Sequence, residues 1–101
     1  MDDFPPGFTW DRRKARDNKR KHGVSFEAAA SVFDDSAALL EGDLFHSRDE
    51  GRDRLVGRTD RGIAVVVAFT VRGDTIRIIS ARLARRSERL RYEAEARRRG
   101  F

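Results

Sequence analysis

The sequence predicts a single α+β domain built from two N-terminal helices, an antiparallel β meander and a C-terminal helix. Three observations carry this expectation. Residues 10–33 place capping residues around helix-forming runs, "WDRRKARDNKRKHG" and "VSFEAAASVF". From Arg52 the hydrophobic pattern changes to period two, with short turn sequences between apolar runs. The chain then returns to a helix-forming stretch, "SERLRYEAEARRR", closed by Gly100.

Taken in order, Pro5, Pro6 and Gly7 precede "FTWD", an extended piece that is either a short edge strand or the approach to the first helix. Asp11 caps that helix and Gly23 supplies the left-handed residue after its last turn. Its interior has no Pro or β-branched residue, and Ala15 is its only aliphatic side chain. At 3.6 residues per turn, Asp11, Ala15, Asn18 and His22 share one narrow stripe with Lys14 beside it. The stripe that should be apolar therefore carries Asn and His. Two readings stay open: a buried, hydrogen-bonded seam that fixes the helix to the body, or one wall of a site.

Ser25 caps a second helix whose core face is Phe26, Ala29, Ala30 and Phe33, and which stops at Asp34 and Asp35. Two short apolar pieces around Gly42 in "SAALLEGDLFHS" read as a strand or hairpin. Then come the strand "RDRLVGRT", the turn "DRG", the strand "IAVVVAFTV", the turn "RGD" and the strand "TIRIISAR". The middle strand is apolar on both faces and is expected to be central, covered by helices on one face or by a second layer. Ser87 and Glu88 open the last helix.

Composition restricts the functions open to the chain. Charged residues make up 39% of 101, well above the usual quarter, while Leu, Ile, Val and Phe still number 24, enough for a core beneath an ionic surface. The net charge of +5 is unevenly placed: residues 12–22 carry +6 and residues 82–101 carry +5, against −3 for residues 23–81. If those two basic segments meet, they form a surface suited to nucleic acid or an acidic protein. The absence of cysteine excludes disulfides, thiolate zinc sites and cysteine nucleophiles. "MDDFPPGF" has neither the basic start nor the apolar core of a leader, and "IAVVVAF" is too short to span a bilayer, so a cytoplasmic protein is expected, with no membrane partner.

The candidates for chemistry are few. Arg77 and Arg82 interrupt apolar neighbours in the last strand, and each needs an acid or a phosphate as partner. His46 and Glu50 lie four apart in "HSRDEGR", with Arg52 two further on. With two histidines, no thiolate and no HExxH, this is a poor metal site, and neither metal nor cofactor is expected. As acid–base groups beside arginines the same residues fit metal-free RNA cleavage. That reaction needs a base for the 2′-hydroxyl proton, an acid for the leaving 5′-oxygen, and fixed cations for charge building on phosphorus. Residue types alone do not divide these roles, and an ion-paired loop is the competing explanation.

The succession "FTWDRRKARDNKRKHGVSFEAAASVFDD", "HSRDEGRDRLVG" and "RIISARLARRSERLRYE" closely resembles BrnT-type toxins, the ribonuclease halves of bacterial type II toxin–antitoxin pairs, over about residues 8–94. The family pattern falls on Trp10, Asp11, Lys14, Asn18, Lys21, His22 and Gly23, then on His46, Glu50, Arg52 and Gly57. It continues on Arg77, Ser80, Ala81, Arg82, Glu88, Arg89 and Tyr92. The resemblance implies a RelE/ParE-like fold with helices packed at one side of an antiparallel sheet. It also implies an endoribonuclease that arrests growth and is neutralised by a cognate BrnA-like ribbon-helix-helix antitoxin; the poor ligand set and ample cations add the expectation that cleavage needs no metal. Toxin and antitoxin would form a hetero-oligomer that represses its own operon, touching operator DNA only through the antitoxin. In this scheme Arg77 and Arg82 grip the scissile phosphate, His46 or Glu50 is the base, and Tyr92 or His22 the acid. Lys14, Asn18, Lys21 and Arg52 contact RNA. The alternatives are a non-catalytic nucleic-acid-binding module and a ParE-like toxin that inhibits a protein target such as a topoisomerase.

Overall fold

The computed structural model describes residues 4–41 and 52–101. A two-residue strand β1 (Phe8–Thr9) leads into α1 (Arg12–His22) and α2 (Phe26–Ser31), which tightens into a 3₁₀ turn over Val32–Asp34. Strands β2 (Leu39–Glu41), β3 (Arg52–Arg58), β4 (Ala64–Arg72) and β5 (Thr75–Leu83) follow, and α3 (Arg86–Arg98) closes the chain.

The expected caps are in place. The Asp11 carboxylate accepts the Lys14 backbone N–H at 3.0 Å, and the Ser25 hydroxyl accepts that of Ala28 at 3.0 Å. Gly23, at φ 73°, donates its N–H to the Lys19 carbonyl and ends α1 in the left-handed conformation. At the start of α3 the Arg85 N–H is taken by Glu88, so the helix begins at Arg86, one residue before Ser87.

The sheet order is β1-β5-β4-β3-β2, with β4 central as its two apolar faces require. The expectation of a purely antiparallel sheet needs one correction: β1 runs parallel to β5, pairing Phe8 with Ile76 and Thr9 with Arg77, so the sheet is mixed. A second correction concerns the helices, which do not gather at one side. Leu55, Val65, Val67, Phe69, Ile78 and Ala81 pack with Trp10, Phe26, Ala29 and Ala30 in the larger core, beneath α1 and α2. Val56 and Val66, one residue out of phase, pack with Tyr92 and Ala96 of α3 on the opposite face. The alternation of valines in "AVVVAF" gives both faces apolar surface to bury, and one layer of helices cannot cover both. No described helix is long and apolar enough to cross a membrane.

Candidate nucleic-acid interface

The face covered by α3 is apolar only at one end. Cross-strand pairs share a face, so register decides which side chains meet. Arg54 stands opposite Ala68 and Ala68 opposite Ser80; one step along, Arg52 faces Thr70 and Thr70 faces Arg77. Both rows lie on the Val56–Val66 face, beyond the end that Tyr92 and Ala96 cover. Arg77 and Arg82 are five residues apart, and strict alternation would put them on opposite faces. The β4–β5 register shifts at Ala68/Phe69, pairing Ala68 with Ser80 but Phe69 with Ile78, so Ile79 is the extra residue of a bulge. The bulge turns Arg77 and Arg82 to the same face.

Two side-chain atoms on this surface are buried without a hydrogen-bond partner among the described residues: Arg54 Nε and Thr70 Oγ1. Such groups cost roughly 1–3 kcal/mol each when left unpaired, and native structures hold few of them. Ser80 and Arg52 are exposed, and Arg54, Ala68, Thr70 and Arg77 half-buried, so the rows form a shallow cationic surface with hydroxyls among the arginines.

Helix α1 borders this surface, and Asn18 places it there. Asn18 is 7% exposed and pairs with the edge of β5 as a strand would. Its amide nitrogen donates to the Ala81 carbonyl at 2.7 Å and to the Val24 carbonyl at 3.0 Å, and its oxygen accepts the Ala81 N–H at 3.1 Å. Both ends of the amide of Asn18, expected to contact RNA, are bonded to backbone groups inside the fold. Projected down α1 from Asn18, Ala15 and His22 fall on the flank that packs on the larger core, while Lys14 and Lys21 fall on the other flank. Both lysines and His22 are exposed. Arg77 lies near the helix start: the Lys14 N–H first, with the charges of Lys14 and Arg77 behind it, holds the Asp11 carboxyl below its ordinary value.

Two residues expected in the chemistry, Arg82 and Tyr92, have side-chain partners within the fold. Arg82 forms a bidentate pair with Glu88 at 2.7 and 2.8 Å, with side chains 27% and 8% exposed, and so anchors the start of α3. The hydrogen bonds from Arg82 pull the Glu88 carboxyl down to about 2 and raise the guanidinium of Arg82 in turn. Tyr92 is buried and donates its hydroxyl to Asp35 Oδ2 at 2.7 Å. Burial first, and then this bond to a carboxylate, raises its pKa. Burial pushes Asp35 up, but the Arg58 and Ala37 N–H groups and the Tyr92 hydroxyl outweigh it, and Asp35 stays below its ordinary value. Asp35 Oδ2 touches the N–H of Arg58, four residues along β3 from Arg54 and six from Arg52, which is roughly 13 and 20 Å at about 3.3 Å per residue. The Tyr92 hydroxyl is thus far from the arginine rows.

His46 and Glu50 lie outside the described residues, in 42–51. Among the described residues no three His, Asp or Glu side chains gather as metal ligands. The sequence reading passed over Arg54 and Thr70. The signal was present as parity: Arg52, Arg54 and Val56 alternate along β3, and Thr70 is four residues from Val66. A separate groove of about 600 Å³ lies on the other flank of α1, with Trp10 and Phe26 in its lining and Arg12, Arg16, Lys19 and Arg20 among its cations. None of the described residues expected in the chemistry lines it.

The comparisons with known proteins come from different directions. The family described as "Ribonuclease toxin, BrnT, of type II toxin-antitoxin system" matches residues 10–88. Among solved structures, the chain is similar to the crystal structure of the Brucella abortus ribonuclease toxin BrnT, with a TM-score of 0.62 at 23% identity. That match covers 78% of this chain and 96% of the Brucella one, a likeness of fold. No curated protein matches.

Proposed function

Because the chain belongs to the BrnT family of ribonuclease toxins of type II toxin–antitoxin systems, we propose that it is an endoribonuclease that works without a metal ion and binds RNA across the arginine rows of the sheet. The observation that supports this reading is the gathering of Arg52, Arg54 and Arg77 on one face of the sheet, beyond the end that α3 covers among the described residues. Fixed cations of this kind supply what a metal would otherwise give, stabilisation of the charge that builds on phosphorus.

The reaction is an internal transfer. A base removes the 2′-hydroxyl proton, the 2′-oxygen bonds to the neighbouring phosphorus, and the 5′-oxygen leaves with a proton from an acid. The products are a 2′,3′-cyclic phosphate and a free 5′-hydroxyl. His46 or Glu50 remains our choice for the base and His22 for the acid; Tyr92 and Arg82 serve as positioning residues for α3, and Asn18 for α1. Lys14, Lys21, Arg52 and Arg77 bind the RNA backbone. A cognate ribbon-helix-helix antitoxin of BrnA type would neutralise the toxin by laying an acidic segment over this surface and would carry the pair to operator DNA. The family resemblance alone supports placing this mixed sheet, with helices on both faces, in the wider RelE/ParE-like group.

The test is incubation of purified, antitoxin-free protein with RNA in EDTA. Discrete fragments ending in 2′,3′-cyclic phosphate are expected. Activity lost in EDTA and restored by manganese or zinc would overturn metal independence, and RNA binding without cleavage would identify a binding module instead.

A further inference from the structure

We infer that Arg54 Nε and Thr70 Oγ1 together hold a phosphate oxygen of the substrate, taking the place beside Arg77 that the sequence assigned to Arg82. The inference deepens the ribonuclease reading and rests on it for the identity of the substrate. Both atoms are hydrogen-bond donors, buried, and without a partner among the described residues. Arg54 pairs with Ala68, and Thr70 is two residues further along β4 on the same face. Diagonal neighbours of this kind lie about 7–8 Å apart, within reach of a long side chain. Ala68 contributes only a methyl group between them. The complementary ligand is an acceptor with more than one oxygen and negative charge.

The neighbouring groups favour phosphate over a partner's carboxylate. Arg77 and Arg52 flank Thr70 in its own row and Arg54 stands diagonal to it, so three arginines neighbour Thr70 on one face, suiting an anion with several oxygens. The acid across the sheet from Arg54 is Glu41, and Arg91 of α3 takes it at 2.6 Å, which leaves Arg54 without a competing ion pair among the described residues. Arg82 is unsuited to the role because both of its terminal nitrogens are bound by Glu88. Once the groups that cover them shift to admit the phosphate, donors fixed in a sheet need no further reorganisation as charge develops on its oxygens, so they act on the transition state more than on the bound substrate.

Two conservative variants separate this from a structural role. Thr70→Val removes only the hydroxyl, and Arg54→Lys keeps the charge while removing Nε. Each should lower kcat for RNA cleavage by about a hundredfold, the order found on deleting one preorganised donor, with KM little changed. Thr70→Val should at the same time melt at or above the wild-type temperature, because an unpaired buried hydroxyl has gone. A second arm uses inorganic phosphate at constant ionic strength: it should raise the Tm of the wild type but not of either variant. Thr70→Val cleaving within twofold of wild type would overturn the inference, as would phosphate stabilising all three proteins equally or none of them. If the wild type cleaves no RNA but its phosphate response still depends on Arg54 and Thr70, the ribonuclease reading falls and the anion site stands.

Discussion

Replacing Asn18 by alanine tests whether the polar stripe of α1 is a seam or a reactive wall. The substitution removes three hydrogen bonds at once and leaves the Val24 carbonyl, the Ala81 carbonyl and the Ala81 N–H without partners at a site where Asn18 is 7% exposed. At about 1 kcal/mol for each group left unpaired, the loss is about 3 kcal/mol. A domain of this size has about 5–15 kcal/mol to lose, so the variant should still fold. Its Tm should fall by roughly 12–24 °C, and its urea midpoint should drop without a change in slope. Asn18→Asp adds a sign. Its carboxylate can accept from the Ala81 N–H but faces two carbonyls, which raises its folded pKa. That variant should therefore regain stability as pH falls from neutral toward the usual carboxylate range. Thermal and urea melts, alongside RNA cleavage by the refolded protein, decide the matter. If Asn18→Ala melts within about 1 kcal/mol of wild type yet no longer cleaves RNA, the assignment of Asn18 as a staple is wrong and it belongs to the site.

The other predictions concern the anchors around the sheet. Glu88 is held at about 2 against an ordinary 4.5. A carboxylate depressed in the folded state stabilises fully above its unfolded pKa, so stability on the order of 2–3 kcal/mol should be lost as pH falls from about 4.5 toward 2. Urea melts across that range should show the loss in wild type and a flatter profile in Glu88→Gln. Tyr92→Phe keeps the ring in the second core and removes the bond to Asp35, so it should cost about 1 kcal/mol in a urea melt while RNA cleavage stays within about twofold. Loss of cleavage at an unchanged Tm would return Tyr92 to the chemistry. Gly57→Ala would bring a Cβ to 2.8 Å from Val32 Cγ1, 3.0 Å from Ala38 Cβ and 3.0 Å from Asp35 Oδ2. Strand β3 would have to move off the 3₁₀ turn, at a cost of about 1–3 kcal/mol, seen as a lower Tm.

Whatever local chemistry controls was legible along the chain. Asp11, Gly23 and Ser25 marked the helix ends because a cap needs only a side chain and a backbone group three or four residues away. "DRG" and "RGD" separated the strands of the meander, and the doubly apolar β4 had to be central. The tertiary structure decided everything that depends on which distant residue lies alongside. Asn18 finds its partner 63 residues away on Ala81, so no pattern within α1 distinguishes a seam from a wall. Five positions separate Arg77 from Arg82, and only the bulge at Ile79 sets them on one face. Arg54 and Thr70 look like ordinary alternating residues until register puts them diagonally across two strands, with Arg54 Nε and Thr70 Oγ1 buried and unpartnered among the described residues. Periodicity fixes the face a residue shares with its near neighbours along the chain. Register and bulges are set by hydrogen bonds between distant strands, and they choose which of those faces meet.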